Sequence, residues 1–183
     1  MNDIKPVIFL VPVLSFIIIG VMFYILHKKA SDKKAFSSYV LHIIVFAFIL
    51  NLAWELIQLP FYNKSLYDVR HISFCALASV ADIIMVLLIY FSLNFIFSGS
   101  NWIQHLTWHR MVLIIFIGGT GAILSELRHI YMGSWTYASS MPLIPYVKVG
   151  LFPVLQFLIL PLLIYFLSFY YPKINRRIIN KIA

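Results

Sequence analysis

Acidic residues are scarce in this chain. Its 183 residues contain six Asp and Glu, and charged residues of both signs make up 11%, against roughly 25% in soluble domains. Hydrophobic residues make up 62%, and the mean hydropathy is +0.94. A water-soluble fold is excluded, because too few polar side chains remain to cover its surface. The single cysteine, Cys75, rules out an internal disulfide framework and a Cys-rich metal site. No glycine-rich phosphate loop, nucleophile elbow or HExxH pair occurs, so the chemistries those motifs serve have no signature here. No cofactor or metal is therefore expected. The net charge of +8 does not indicate nucleic acid, since the basic residues sit between and after apolar runs and form no face of a soluble fold.

What is present is a series of long apolar runs. A membrane-crossing helix needs about 20 predominantly apolar residues, and five stretches meet this: 7–26, 39–59, 72–97, 111–131 and 147–170. The expected fold is an all-α, polytopic membrane bundle of five transmembrane helices in a single domain, with 171–183 as a basic tail. The first run is followed by its basic cluster and lacks a small-residue cleavage site, so it reads as a retained anchor. Pro60, Asn63, the SGSN turn at 98–101 and Gly133 punctuate the runs. No internal repeat is convincing.

Lys and Arg in the connections set the orientation. With the C-terminus in the cytoplasm, that side holds Lys28, Lys29, Lys33, Lys34, Arg110, Lys173, Arg176, Arg177 and Lys181, and the other holds Lys5, Lys64, Arg70, Arg128 and Lys148. The nine-to-five bias favours an N-terminus outside and a multi-pass protein of the inner, cytoplasmic membrane. The lipid bilayer is then the obligatory partner. The basic tail suits an anionic leaflet as an amphipathic helix.

Three of the six acids, Glu55, Asp82 and Glu126, fall inside the apolar runs. A carboxylate facing lipid costs a few kcal/mol even on lenient scales, so each must face the bundle interior or a wet cavity. At about 1.5 Å of rise per residue, Glu55 and Glu126 lie in the outer half of the bilayer and Asp82 near its midplane. Helical spacing supplies their company. Asn51, Glu55 and Gln58 stand at i, i+4 and i+7; His71, Cys75, Ala78, Ser79 and Asp82 form a small and polar stripe. Gly119 and Ala122 share the face of Glu126, and Gln156 lies between Pro153 and Pro161. The segment SELRHIYMGSWTYASSMPLIP at 125–145 then reads as the rim of a polar pocket. His129 follows Glu126 by one turn, Arg128 is expected to neutralise a carboxylate, and Trp135 and Tyr137 serve as interface or ligand contacts.

Blander readings compete. The three acids also suit structural cross-links between helices. His105 and His109 have metal-like i, i+4 spacing, but lie with Trp102 and Trp108 in a connection where interfacial anchoring is the better reading. His42 falls off the Asn51 and Glu55 face. His71 and His129 suit helix capping as well as a site, and Cys75 suits plain packing.

AWELIQLPFY at 53–62, CALASVADIIMVLLIY at 75–90 and the 125–156 segment resemble a family of small polytopic bacterial membrane proteins without an assigned activity. The marks are the WE pair, the mid-span Asp and the WxY, MPxxP and GLxPxxQ run; Phe157 stands where that family often has Trp. The resemblance implies a membrane protein with the same polar positions. By architecture alone, the chain is also similar to the sterol-isomerase type of membrane bundle, with intramembrane carboxylates and Trp.

The functional expectation is an intramembrane enzyme or binder of a lipophilic molecule, an isoprenoid or lipid. Glu55, Asp82 and Glu126 would be catalytic, and Asn51, Gln58, Ser79, Arg128, His129, Trp135, Tyr137 and Gln156 would bind substrate. A small proton- or cation-coupled transporter is the alternative, which with five spans calls for an oligomer; an accessory subunit is a third.

Overall fold

A computed structural model describes residues 7–63, 65–97 and 102–182, and the side chains among them except those of 7–12, 104–105 and 173–182. The chain is 80% helical. Among the described residues five α-helices follow one another: α1 (Val7–Lys29), α2 (Lys33–Gln58), α3 (Val69–Ile96), α4 (Trp108–Tyr131) and α5 (Leu151–Ile182). Among the described residues, four segments are long and apolar enough to cross a membrane: Lys33–Phe61, Val69–Ile96, Trp108–Tyr131 and Leu151–Pro172.

Local chemistry places the ends. Asp32 caps α2, its carboxylate accepting from the Ala35 N–H at 2.9 Å, and Asp68 caps α3 through the His71 N–H at 2.8 Å. Both helices accordingly begin several residues before the apolar runs do. Gly133, at φ +67°, ends α4 in the left-handed conformation, its N–H bonded to the Ile130 carbonyl. The fifth helix starts at Leu151 rather than 147. Residues before it fold into a tight bridge between Leu143 and Gly150, with Tyr146 and Lys148 at positive φ. It then continues through Pro161 and Pro172 to Ile182, so the backbone of the basic tail extends α5 without a break.

α2 lies at the centre, packed on α3 and α5; α1 rests on α3 and α4 on α5. Gly118 and Gly119 bring α4 against the Phe157 backbone and the Leu158 side chain of α5, the close approach that small residues permit. By contrast, α3 and α4 approach each other over a short stretch, where Met85 lies against Gly121. The apolar core lies toward the end of the bundle where α2 and α4 begin: Ile43, Val86, Phe91, Leu93, Ile114 and Ile164 are fully buried. Phe16, Ile17, Leu41, Ile49, Leu77, Phe116 and Leu124 are exposed around the bundle, an apolar belt suited to lipid.

The connection before α4 corrects an expectation. Trp102 is not an interfacial anchor: it is 3% exposed, tucked in a short 3-10 turn against Tyr90, Phe97 and Tyr165. Arg110 fastens that turn by donating to the Trp102 carbonyl at 2.9 Å while lying over the Phe97 ring. Trp108, 68% exposed, remains free to anchor. His105 ends the 3-10 turn and His109 lies beyond the Thr107 cap of α4, so the two do not share one helix.

Candidate functional site

Five of the six acids fall among the described residues. Asp32 and Asp68 cap helices, and the other three, Glu55, Asp82 and Glu126, line one cavity of about 1060 Å³. The cavity lies between α2, α3, α4 and α5 at the end where α2 and α4 finish and α3 and α5 begin. Apolar walls come from Leu59, Phe74, Leu77, Ala78, Ala81, Ala122, Pro153 and Phe157. Below Asp82 the bundle is closed by buried Ile43, Ala47, Val86 and Leu160.

Two of the acids belong to one hydrogen-bond network. Gln156 on α5 is 1% exposed, and its Nε2 donates to Asn51 Oδ1 and to Asp82 Oδ2, each at 2.9 Å. Gln58 Nε2 donates to Glu55 Oε1 at 2.8 Å and to Gln156 Oε1 at 3.3 Å. Asn51 completes the chain by donating to the Ala47 carbonyl at 2.8 Å. Three helices are thereby tied together around Gln156. Glu55 and Asp82 interact electrostatically with each other, and each with Glu126.

Glu126 is held from the other side, by the loop between α4 and α5. The Tyr137 hydroxyl and Trp135 Nε1, the latter at 3.3 Å, both donate to its Oε2. Burial and the bond to Glu126 push the Tyr137 phenol up, so it stays protonated as a donor. His129 stacks on Trp135 with ring centroids 4.1 Å apart. Two loops zip together above: Tyr62 bridges Tyr137, Asn63 N–H donates to the Thr136 carbonyl at 2.9 Å, and Ala138 N–H to the Phe61 carbonyl at 2.9 Å. Tyr62 packs edge-on to Trp135 and faces the cavity.

Most of the expected site residues therefore meet. Glu55, Gln58, Asp82, Glu126, His129, Trp135 and Gln156 line the cavity; Asn51 and Tyr137 stand behind it and hold the lining acids and amide. Four expected ligand contacts are thus missing from the lining: Asn51 and Tyr137, which act through lining groups, and Arg128 and Ser79, which do not take their expected places. Arg128 is exposed and makes no ion pair with Glu126 among the described residues, because two helical steps turn it about 200° away from that carboxylate. Ser79 is buried, and its hydroxyl donates to the Cys75 carbonyl at 2.8 Å rather than facing the cavity. His71 does both things considered for it, lining the cavity while pairing with Asp68 at 2.8 Å. Cys75 lies beside it in the lining.

Sequence reasoning passed over Tyr62, Arg70, Ala81 and Ser125, all of which line the cavity. Ala81 and Ser125 each adjoin a cavity acid in sequence, a signal that helix periodicity discounts. Tyr62 carries no local signal, since its place depends on pairing with a loop 75 residues on.

Fold and site together define a helical bundle of membrane type with an acid-lined chamber at one end. Searches against protein-family models, curated proteins and solved structures find nothing that matches this chain.

Proposed function

We propose that this chain is an intramembrane enzyme or binding protein for a lipophilic molecule, an isoprenoid or lipid, that occupies the acid-lined chamber. One observation carries the reading: three carboxyl groups from three helices share a cavity of about 1060 Å³ with apolar walls and a closed floor. Acids within membrane-spanning helices are rare, and facing a shared cavity they mark a functional site by default. The size suits a lipid-sized ligand.

Two carboxyl groups facing one apolar substrate are suited to proton addition and removal. An isomerisation balances with no further reactant. One carboxylic acid gives its proton to an alkene carbon, the aromatic rings and a neighbouring carboxylate stabilise the resulting cation, and that carboxylate removes a proton from the adjoining carbon. Gln156 and Gln58 would position Asp82 and Glu55, and Tyr137 and Trp135 would position Glu126.

In this reading α1 is the fifth span, the N-terminus lies outside, the C-terminus is cytoplasmic, and the chamber opens toward the outer leaflet of the inner membrane. The closed floor favours a chamber over a proton- or cation-conducting path. Untargeted lipid profiling tests this in cells expressing wild type or Glu126→Gln at matched levels. A lipophilic species that changes in abundance supports the reading. An unchanged profile, with an altered pH response of ion uptake in vesicles, would replace it with transport.

A further inference from the structure

We infer that the chamber is loaded sideways from the bilayer, through the cleft between α3 and α4, by an amphiphile whose head donates hydrogen bonds, a long-chain alcohol being the simplest example. This rests on the chamber reading above and adds a route and a ligand class.

The helices set the cleft. α3 and α4 meet where the Met85 methyl lies so close to Gly121 that a Cβ there would overlap it. They run antiparallel, so moving outward from that contact brings Ala81 opposite Ser125 and Leu77 opposite His129. All four of these residues line the cavity. Packing between the two helices is sparse compared with the seams that α2 and α5 make. The α3 edge of the cleft is apolar, with Leu77 66% and Phe74 57% exposed, and the α4 edge carries Ser125 and His129. No charged side chain stands on α3 between Phe74 and Ala81 to oppose an alkyl chain. The loop end of the cavity, lined by Arg70, His71, Ser134 and Thr136, is polar and offers an alkyl chain little.

The network sets the head group. Both N–H groups of Gln58 and both of Gln156 are already committed within the protein. Each lining carboxyl group keeps an oxygen that accepts no hydrogen bond among the described residues, Glu55 Oε2, Asp82 Oδ1 and Glu126 Oε1. An unpaired buried acceptor is costly, so it favours an occupant that donates to it. Hydroxylated heads meet that need; ethers and esters do not.

The test uses the full chain in phosphatidylcholine vesicles and a long-chain alcohol with a diazirine in its chain. In wild type, label is expected on the cavity-lining residues of two segments, Ala78 and Asp82 in 74–82 and Ala122 and Glu126 in 122–129; label on the exposed Phe74, Leu77 and Leu124 comes from the bilayer and is not scored. Ala81→Trp, which fills the cleft from an exposed position, should lose label on both segments while keeping the wild-type circular dichroism. Val80→Trp, on the same helix but outside the cavity lining, should keep it. The corresponding methyl ether should label far less than the alcohol. Full labelling of Ala81→Trp would overturn lateral entry and leave the chamber intact. Equal labelling by the ether would overturn the donor requirement. No label on either segment of wild type would overturn the chamber as a lipid site.

Discussion

Replacing Gln156 by leucine removes the hub of the network at nearly constant volume. Three hydrogen bonds disappear, to Asn51 Oδ1, Asp82 Oδ2 and from Gln58 Nε2. Asn51 Oδ1 loses its partner in a fully buried residue, and Asp82 keeps no other hydrogen bond among the described residues. In a soluble core each stranded group costs about 1–3 kcal/mol. Side-chain bonds between membrane helices average only about 0.6 kcal/mol, because the separated helices also find partners. The lower figure applies here, and three bonds then give about 2 kcal/mol. Leucine returns little, since lipid is as apolar as the bundle interior. For a chain of this size that cost corresponds to about 4–8 °C in melting temperature. Thermal unfolding in mild detergent measures it, and a double-mutant cycle with Asn51→Leu isolates the pair. An unchanged or raised melting temperature, with no coupling in the cycle, would refute the claim that Gln156 holds the three helices together.

Further expectations concern packing, capping and the rim. Gly118→Ala should destabilise by about 1–3 kcal/mol as an overpacked contact, since its Cβ would meet the Phe157 carbonyl; Gly20→Ala, with open space around it, should be neutral or gain up to about 1 kcal/mol, both read by thermal unfolding. Bonds from its capped N–H groups and His71 hold the Asp68 carboxyl below its ordinary 3.8. That support for the start of α3 is complete above the ordinary value and fades as pH falls through the lowered one, so the protection factor of the Ile72 amide, its exchange rate corrected for the intrinsic pH dependence, should fall on acidification in wild type and not in Asp68→Asn. Tyr137→Phe should cost about 1 kcal/mol through the lost bond to Glu126, whereas Arg128→Gln should stay within about 0.5 kcal/mol of wild type.

Much of this architecture is legible in residue order, for identifiable reasons. Apolar run length gives the helices, and the 3.6-residue period puts Asn51, Glu55 and Gln58 on one inward face. Scarcity does the rest: a lipid-embedded chain keeps an acid only where something uses it, which singled out Glu55, Asp82 and Glu126. The failures share another cause. Nearness in sequence sets Arg128 beside Glu126, whereas the helical period turns it away. Trp102 and Tyr62 take their positions from contacts with distant segments, Tyr165 and Tyr137, which no local pattern encodes. The α3–α4 cleft is a property of how α4 leans on α5, fixed by Gly118 and Gly119 but visible only once both helices are placed.

The claim on which the rest depends is that Glu55, Asp82 and Glu126 serve one chamber. Native mass spectrometry of the protein extracted from membranes in mild detergent measures it most directly. Wild type should retain a lipophilic adduct, and Glu55→Gln, Asp82→Asn and Glu126→Gln should each lose it while remaining folded. An adduct retained by all three variants, or none on wild type, would contradict the shared chamber.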